Sequence, residues 1–244
     1  MFTDLPFARG SQATIHRAVI KNGDGALKEY TAQRNCAHRN VCPVHLVQMP
    51  GAPAMIIMPA AAMDLLDYLQ MHKSDIGTAS AFRIARDMVT AILTIHSRAY
   101  VHRDIKLENV LLFDLDAPHG PTAKISDFGF AARLKRGEFL HDHIGSPTYV
   151  APEILKRLPY NHKVDMWSLG VCIYTLATGS KPFCTSNTRT LAPHGLKRWR
   201  KAALSDHQRE SVIRTLREDP AKRASSANIA MLRLQAPPPR PHAP

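Results

Sequence analysis

The chain has 244 residues, with 45% hydrophobic and 21% charged residues, a composition that excludes wholesale disorder and fits one large domain or two small lobes sharing a cleft. No apolar run reaches the roughly 18–20 residues that span a bilayer, and MFTDLPFARG lacks the basic and apolar regions of a secretory leader, so an intracellular setting in cytoplasm or nucleus is expected. The net charge of +12 speaks to association rather than to fold, and the four cysteines are too sparse and irregular for a disulfide framework.

The first 60 residues read as short strands with turns. Ala13 to Ile20 carries Ile15, Val19 and Ile20; Asn22-Gly23-Asp24-Gly25 follows as a hairpin signal, and Gly25 to Tyr30 is the expected return strand. Cys36, His38, Cys42 and His45 match no common zinc spacing. Ala54 to Met58 is a continuous apolar run, as in a buried strand. Leu65, Leu66 and Leu69 then suggest a brief helix. Ile84, Ala85, Met88, Val89, Ile92, Leu93 and His96 recur at helical intervals, marking a long amphipathic helix capped by Thr78 or Ser80.

Two short strands, Val110–Phe113 and Ala123–Ile125, flank a turn-rich stretch. Met166 to Thr178 is nearly all apolar, which predicts a helix buried on most sides. Ser205 to Arg217 is again amphipathic. The basic excess is densest between Arg189 and Arg223; it reads as a solvated helix face, and nucleic acid is not an expected partner. The end of the chain, APPPRPHAP, is too proline-rich to fold. Strands followed by helices predict an α+β arrangement: a small strand-rich lobe over 1–58, a larger helical lobe over 59–232 and a disordered tail over 233–244.

Three segments carry chemistry: His102-Arg103-Asp104-Ile105-Lys106-Leu107-Glu108-Asn109, Asp127-Phe128-Gly129 and Ala151-Pro152-Glu153. Phosphoryl transfer needs a carboxylate that orients a hydroxyl and accepts its proton, and hard oxygen ligands for Mg²⁺. Asp104 supplies the first, Asn109 and Asp127 the second, and Lys106 sets a positive charge beside the transferring group. Positioning and electrostatics are then the whole catalytic task.

Together with Asp165-Met166-Trp167-Ser168-Leu169-Gly170, these ordered segments resemble the eukaryotic protein kinase family over about Phe7 to Arg223. The resemblance implies a two-lobed kinase fold, ATP and Mg²⁺ as cofactors, and a protein substrate with a Ser or Thr acceptor. It makes Asp104 the base, Asn109 and Asp127 the metal ligands, and Lys106 the choice typical of serine/threonine kinases. Glu153 becomes an anchor paired with Arg223, and Asp165 a brace for the catalytic loop. Phe7-Ala8-Arg9-Gly10-Ser11-Gln12-Ala13-Thr14-Ile15 lines up with the family's glycine loop, keeping only Gly10; Ala8 and Ala13 replace two glycines, and Ile15 follows. Ala26-Leu27-Lys28 resembles the strand that bears the phosphate-binding lysine, with Lys21 as the rival to Lys28. Asp64 lies where a carboxylate meets the ribose, or caps a helix. Glu108 implies a substrate that is basic upstream of its acceptor. Ile56, Ile57 and Met58 should line the adenine pocket.

Two departures stand out. Glu29 is the only carboxylate between Lys28 and Asp64. It directly follows Lys28, and neighbours on one strand point to opposite faces. This leaves open whether the family's lysine–glutamate pair exists, and keeps alive a second reading: a degenerate kinase-fold module that binds partners and transfers phosphate poorly. In the activation segment, Asp142 stands four residues before Ser146, where many such kinases carry a phosphorylated threonine, and its carboxylate has the charge to pair with Arg103.

Overall fold

The computed structural model describes residues 7–10, 13–15, 17–20, 24–72, 76–118, 120–183 and 206–226. The first part is β-rich. Strand β1 (Phe7–Gly10) pairs antiparallel with β2 (Ala13–Ile15), bringing Gly10 opposite Ala13. Strand β3 (Arg17–Ile20) is followed by helix α1 (Asp24–Asn35), β4 (His45–Val47) and β5 (Met55–Met58). Both β3 and β4 pair antiparallel with β5, giving the order β3-β5-β4, with Ile20 opposite Met55.

Helix α1 overturns the expectation of a return strand over Gly25–Tyr30. The segment ALKEYTAQR is rich in Ala, Leu, Lys, Glu, Gln and Arg, which lose little on entering a helix. Arg34 lies in its last turn, favourable to the helix dipole. The Asn-Gly-Asp-Gly sequence therefore leads into a helix instead of turning a hairpin. Ala26 and Lys28 lose the strand position on which their nucleotide-binding assignment rested. Ala26 is fully buried against Val44, Ala54 and Ile56, while Lys28 lies on the exposed face of α1.

The remainder is mainly helical. Strand β6 (Met63–Asp64) leads into α2 (Leu65–Met71), where the Asp64 carboxylate accepts from Asp67 N at 2.9 Å, the capping geometry the sequence allowed. Helix α3 (Thr78–Ser97) buries Ile84, Ala85, Met88, Val89 and Ile92, as its periodicity predicts; Leu93 and His96 are half-buried, Ile95 is buried instead, and Gly77 occupies the cap position expected of Thr78 or Ser80. Strand β7 (Tyr100–Val101), a 3₁₀ turn (Leu107–Asn109), β8 (Val110–Phe113), β9 (Thr122–Ile125) and β10 (Ala132–Arg133) follow. They form the sheet β6-β8-β9 and the pair β7-β10. Helix α4 (Pro152–Leu155) precedes α5 (Lys163–Thr178) and α6 (Asp206–Thr215). No helix among the described residues is long and apolar enough to cross a membrane.

Helix α5 is the centre of the large core, buried on every side from Val164 to Leu176. Gly170 admits the neighbouring helix: a Cβ there would meet Thr215 Oγ1 of α6 at 2.0 Å. Helix α1 joins the two cores. Ala26 near its start packs in the small one, while Ala32 and Cys36 belong to the large one. Beyond it, Asn40 Nδ2 donates to Ala123 O at 3.0 Å, Ile125 N donates to Asn40 O at 2.9 Å and Cys42 N to Ile125 O at 2.8 Å. The turn after α1 is thus stitched to the strand that ends just before Asp127.

Candidate active site

The loop from His102 to Asn109 runs between β7 and β8, and its backbone is held from below by α5. Asp165, with no solvent exposure, accepts from His102 N and Arg103 N, each at 2.8 Å, one per carboxylate oxygen. His96 Nε2 of α3 bonds the same carboxylate at 2.9 Å, and His96 Nδ1 meets Ser226 Oγ at 3.1 Å. Burial pushes the Asp165 carboxyl up, but the His96 hydrogen bond and the two histidines around it hold it below its ordinary value. The brace expected of Asp165 is therefore in place. Its histidine partner was missed: within an apolar helical repeat, His96 reads as one more core-facing residue.

His102 is fully buried. Burial drives its pKa down, outweighing the opposing pull of the Asp165, Asp127 and Asp104 carboxylates. The neutral ring is satisfied on both sides: Nε2 meets Ser126 O at 3.1 Å, and Nδ1 accepts from Asp104 N at 3.3 Å. The ring also stands edge-on to Phe128, 4.7 Å between centroids, which fixes the start of the Asp127-Phe128-Gly129 segment in the core.

This scaffold presents Asp104, Lys106 and Asn109 together. Lys106 Nζ donates to Asp104 Oδ2 at 2.7 Å; Asn109 Nδ2 donates to Asp104 O at 2.9 Å and to Oδ2 at 3.1 Å. Ser146 Oγ, from the activation segment, donates to Asp104 Oδ1 at 2.8 Å and accepts from Lys106 Nζ at 3.3 Å. Burial lifts the Asp104 carboxyl, but the hydrogen bonds from Lys106 and Ser146 outweigh it and keep the group below its ordinary value. A buried carboxylate held ionised between a cation and a hydroxyl is suited to receive a proton from a hydroxyl nucleophile.

Asp127 follows β9 in the left-handed region at φ 60°, and its Oδ1 accepts from Gly129 N at 3.3 Å. With Asn109 Nδ2 given to Asp104, Asn109 Oδ1 remains as an acceptor, so Asn109 and Asp127 supply the hard oxygen atoms that suit Mg²⁺. Gly10, Ala13 and Ile15 lie on β1 and β2, whose backbone alone is described; Lys21 lies outside the described residues. Glu29, by contrast, is buried on α1 with 5% exposure. It no longer shares a strand with Lys28, and the objection to its pairing with a strand lysine falls away.

Glu153 and Arg223 meet as expected. The guanidinium gives Nη1 to Oε1 at 2.6 Å and Nη2 to Oε2 at 2.9 Å. It also donates to the carbonyls of Arg217, Lys163 and Glu218, and lies 5.2 Å from the Trp167 ring centre. Every donor of the buried arginine is thereby used, the condition under which a buried ion pair holds. Arg103 Nη1 likewise reaches Asp142 Oδ2 at 2.6 Å. A cavity of about 510 Å³ lies elsewhere, between α3 and residues 134–139, with Asp104 absent from its lining.

The comparisons with known proteins agree with this geometry. The protein kinase domain model matches residues 12–233. The chain is 36% identical over 183 residues to NUAK family SNF1-like kinase 2 of Rattus norvegicus, covering 73% of this chain and 28% of the relative. It is 35% identical over 225 residues to serine/threonine-protein kinase fused of Drosophila melanogaster, covering 88% and 27%. With maternal embryonic leucine zipper kinase of Xenopus tropicalis it shares 33% over 211 residues, covering 82% and 31%. The chain therefore spans between a quarter and a third of the length of these relatives. Two-lobed in type, carrying the ordered catalytic segments and matched by the family model over most of its length, this chain belongs to the protein kinase family, and its relatives named here are of the serine/threonine kind.

Proposed function

We propose that the chain is a catalytically competent serine/threonine kinase that transfers the γ-phosphoryl group of ATP to a hydroxyl of a protein substrate. The observation that carries this reading is the Asp104 carboxylate: buried, ionised and held between Lys106 and Ser146. Asp104 orients the acceptor hydroxyl and takes its proton as the oxygen attacks phosphorus in line. Lys106 lies beside that line and stabilises the negative charge that builds up there. Asn109 and Asp127 would hold Mg²⁺, which when bound neutralises charge on the phosphates.

For the nucleotide side we assign the phosphate-contacting lysine to Lys21 instead of Lys28, with Glu29 as its ion-pair partner. Lys21 directly follows β3, whose register against β5 puts Ile20 opposite Met55, whereas Lys28 sits on the exposed face of a helix. Gly10, Ala13 and Ile15 cover the phosphates and adenine less closely than a loop with three glycines, which implies weak ATP affinity. Asp64 Oδ1 caps α2, which leaves Oδ2 to accept from the ribose hydroxyls. On the protein-substrate side, Glu108 is exposed beside the buried Tyr149 hydroxyl, and its charge favours a substrate basic upstream of the acceptor.

The test is phosphate transfer from labelled Mg-ATP to a basic protein substrate. Wild type should label it and Asp104→Asn should lose about 10²–10⁴-fold of the rate, the range for removing a positioned base. A folded wild type that binds ATP and transfers nothing would favour the other reading, a kinase-fold binding module, which the replacement of two loop glycines by Ala8 and Ala13 supports.

A further inference from the structure

We propose that Asp142 is a positioning residue that holds the activation segment in its working geometry without covalent modification of the chain. The inference rests on the kinase reading and concerns the regulation of the same site.

Arg103 stands next to Asp104, and its backbone is left-handed at φ 71° with its N–H held by Asp165. Its side chain is only 10% exposed, so the charge has little water to satisfy it. Three segments satisfy it instead. Nε donates to Phe130 O at 2.6 Å; Nη1 donates to Asp142 Oδ2 at 2.6 Å and to Tyr160 Oη at 3.2 Å. Tyr160 Oη in turn donates to Asp142 O at 2.9 Å, and the backbones of Tyr160 and Leu140 exchange two hydrogen bonds, at 2.8 and 3.0 Å. Asp142 is thus gripped through its carboxylate and its carbonyl at once.

Four residues later the chain is gripped again, by Ser146 Oγ on Asp104 Oδ1. Gly145 makes the close return feasible: its φ is 107°, and a Cβ there would lie 3.0 Å from Arg103 O. The stretch 142–146 is therefore pinned at one end on Arg103 and at the other on Asp104. Asp142 itself is 63% exposed and gives up little hydration, while the cation it meets is nearly dry. A pair of that kind is stronger than one between two exposed side chains. Because the anion is part of the genetically encoded chain, the segment is ordered as soon as the protein folds.

The experiment uses the full chain treated with phosphatase, with its unmodified mass verified. Wild type should keep its activity through that treatment. Asp142→Ala and Asp142→Asn should each lower kcat about tenfold or more, as expected for a lost hydrogen bond to a charged group, with KM for ATP little changed. Asp142→Glu should restore much of the loss. Hydrogen exchange over residues 138–148, which needs no turnover, should rise in the Ala and Asn variants and not in the Glu variant. Unchanged exchange in Asp142→Ala, or loss of wild-type activity on dephosphorylation, would overturn the proposal. A wild type that never transfers phosphate would count against the kinase reading alone, since the exchange experiment still decides whether Asp142 orders the segment.

Discussion

The two cores of this protein differ sharply in how they are held. Among the described side chains, the small one beside β4 and β5 buries Ala26, Val44, Ala54 and Ile56, with Tyr30, Leu46 and Met58 packed against them. At about 1.5–3 kcal/mol for a fully buried Val or Ile, and less for Ala, these described side chains contribute far less than those of the large core. The large core has Trp167, Met88, Ile92, Leu169 and many others fully inside, and adds buried ionic networks centred on Asp165 and Arg223. The difference teaches where the two clusters are joined. Helix α1 reaches the large core through Ala32, with Cys36 one residue beyond its end, and Asn40 fastens the next turn to β9. The candidate site follows the same division: Asp104 and Asn109 are buried and hydrogen-bonded within the large lobe, while the residues proposed for the nucleotide belong to the small one.

The largest expected effect lies in the large core. Glu153→Gln would strand the buried Arg223 charge and should destabilise the protein by about 3–5 kcal/mol, read as a fall in the urea midpoint. A loss under about 1 kcal/mol, as for an exposed pair, would erase the contrast between the two regions.

Next comes the nucleotide side. Lys21→Met should reduce phosphate transfer about 10²-fold or more, the scale for removing one electrostatic contact to the reacting group, and Lys28→Met should leave it near wild type. If Lys21 and Glu29 act as a pair, adding Glu29→Gln to Lys21→Met should cost much less than the sum of the two single changes. Strict additivity would separate Glu29 from the lysine; a silent Lys21→Met with an inactive Lys28→Met would return the assignment to Lys28.

The smallest effect sharpens the dependence of one lobe on the other. Asn40→Ala removes a buried hydrogen bond to Ala123 and should cost about 1–3 kcal/mol, the penalty of leaving a buried carbonyl unpaired. Protection from hydrogen exchange should fall more in α1 than in α5. Equal losses in both helices would mean that the small lobe does not hang on this clamp.

Much of the site was legible because its geometry is local. Asp104, Lys106 and Asn109 lie within six residues, and one turn of backbone brings their polar atoms to hydrogen-bond distance. The long helix α3 and the wholly buried α5 were equally plain, since periodicity and near-continuous apolarity each have one reading at that length. The stretch 24–35 was not, because two local signals compete there. Asn-Gly-Asp-Gly favours a tight turn, while the following residues favour a helix, and neither dominates over so short a span.

By itself, then, the amino-acid order determined the family resemblance and the polar loop His102–Asn109, whose residue types have few alternative chemistries, and the resemblance in turn implied the pairs Glu153–Arg223 and Arg103–Asp142. Tertiary structure alone decided the rest. The folded chain sets Ala26 against Val44 and Ile56, buries Glu29 and turns Lys28 outward. Folding across 69 residues set His96 on Asp165. The physical reason is one of range: a carboxylate's intrinsic chemistry travels with its side chain, but which cation it meets depends on surfaces that come together only when distant segments share a core.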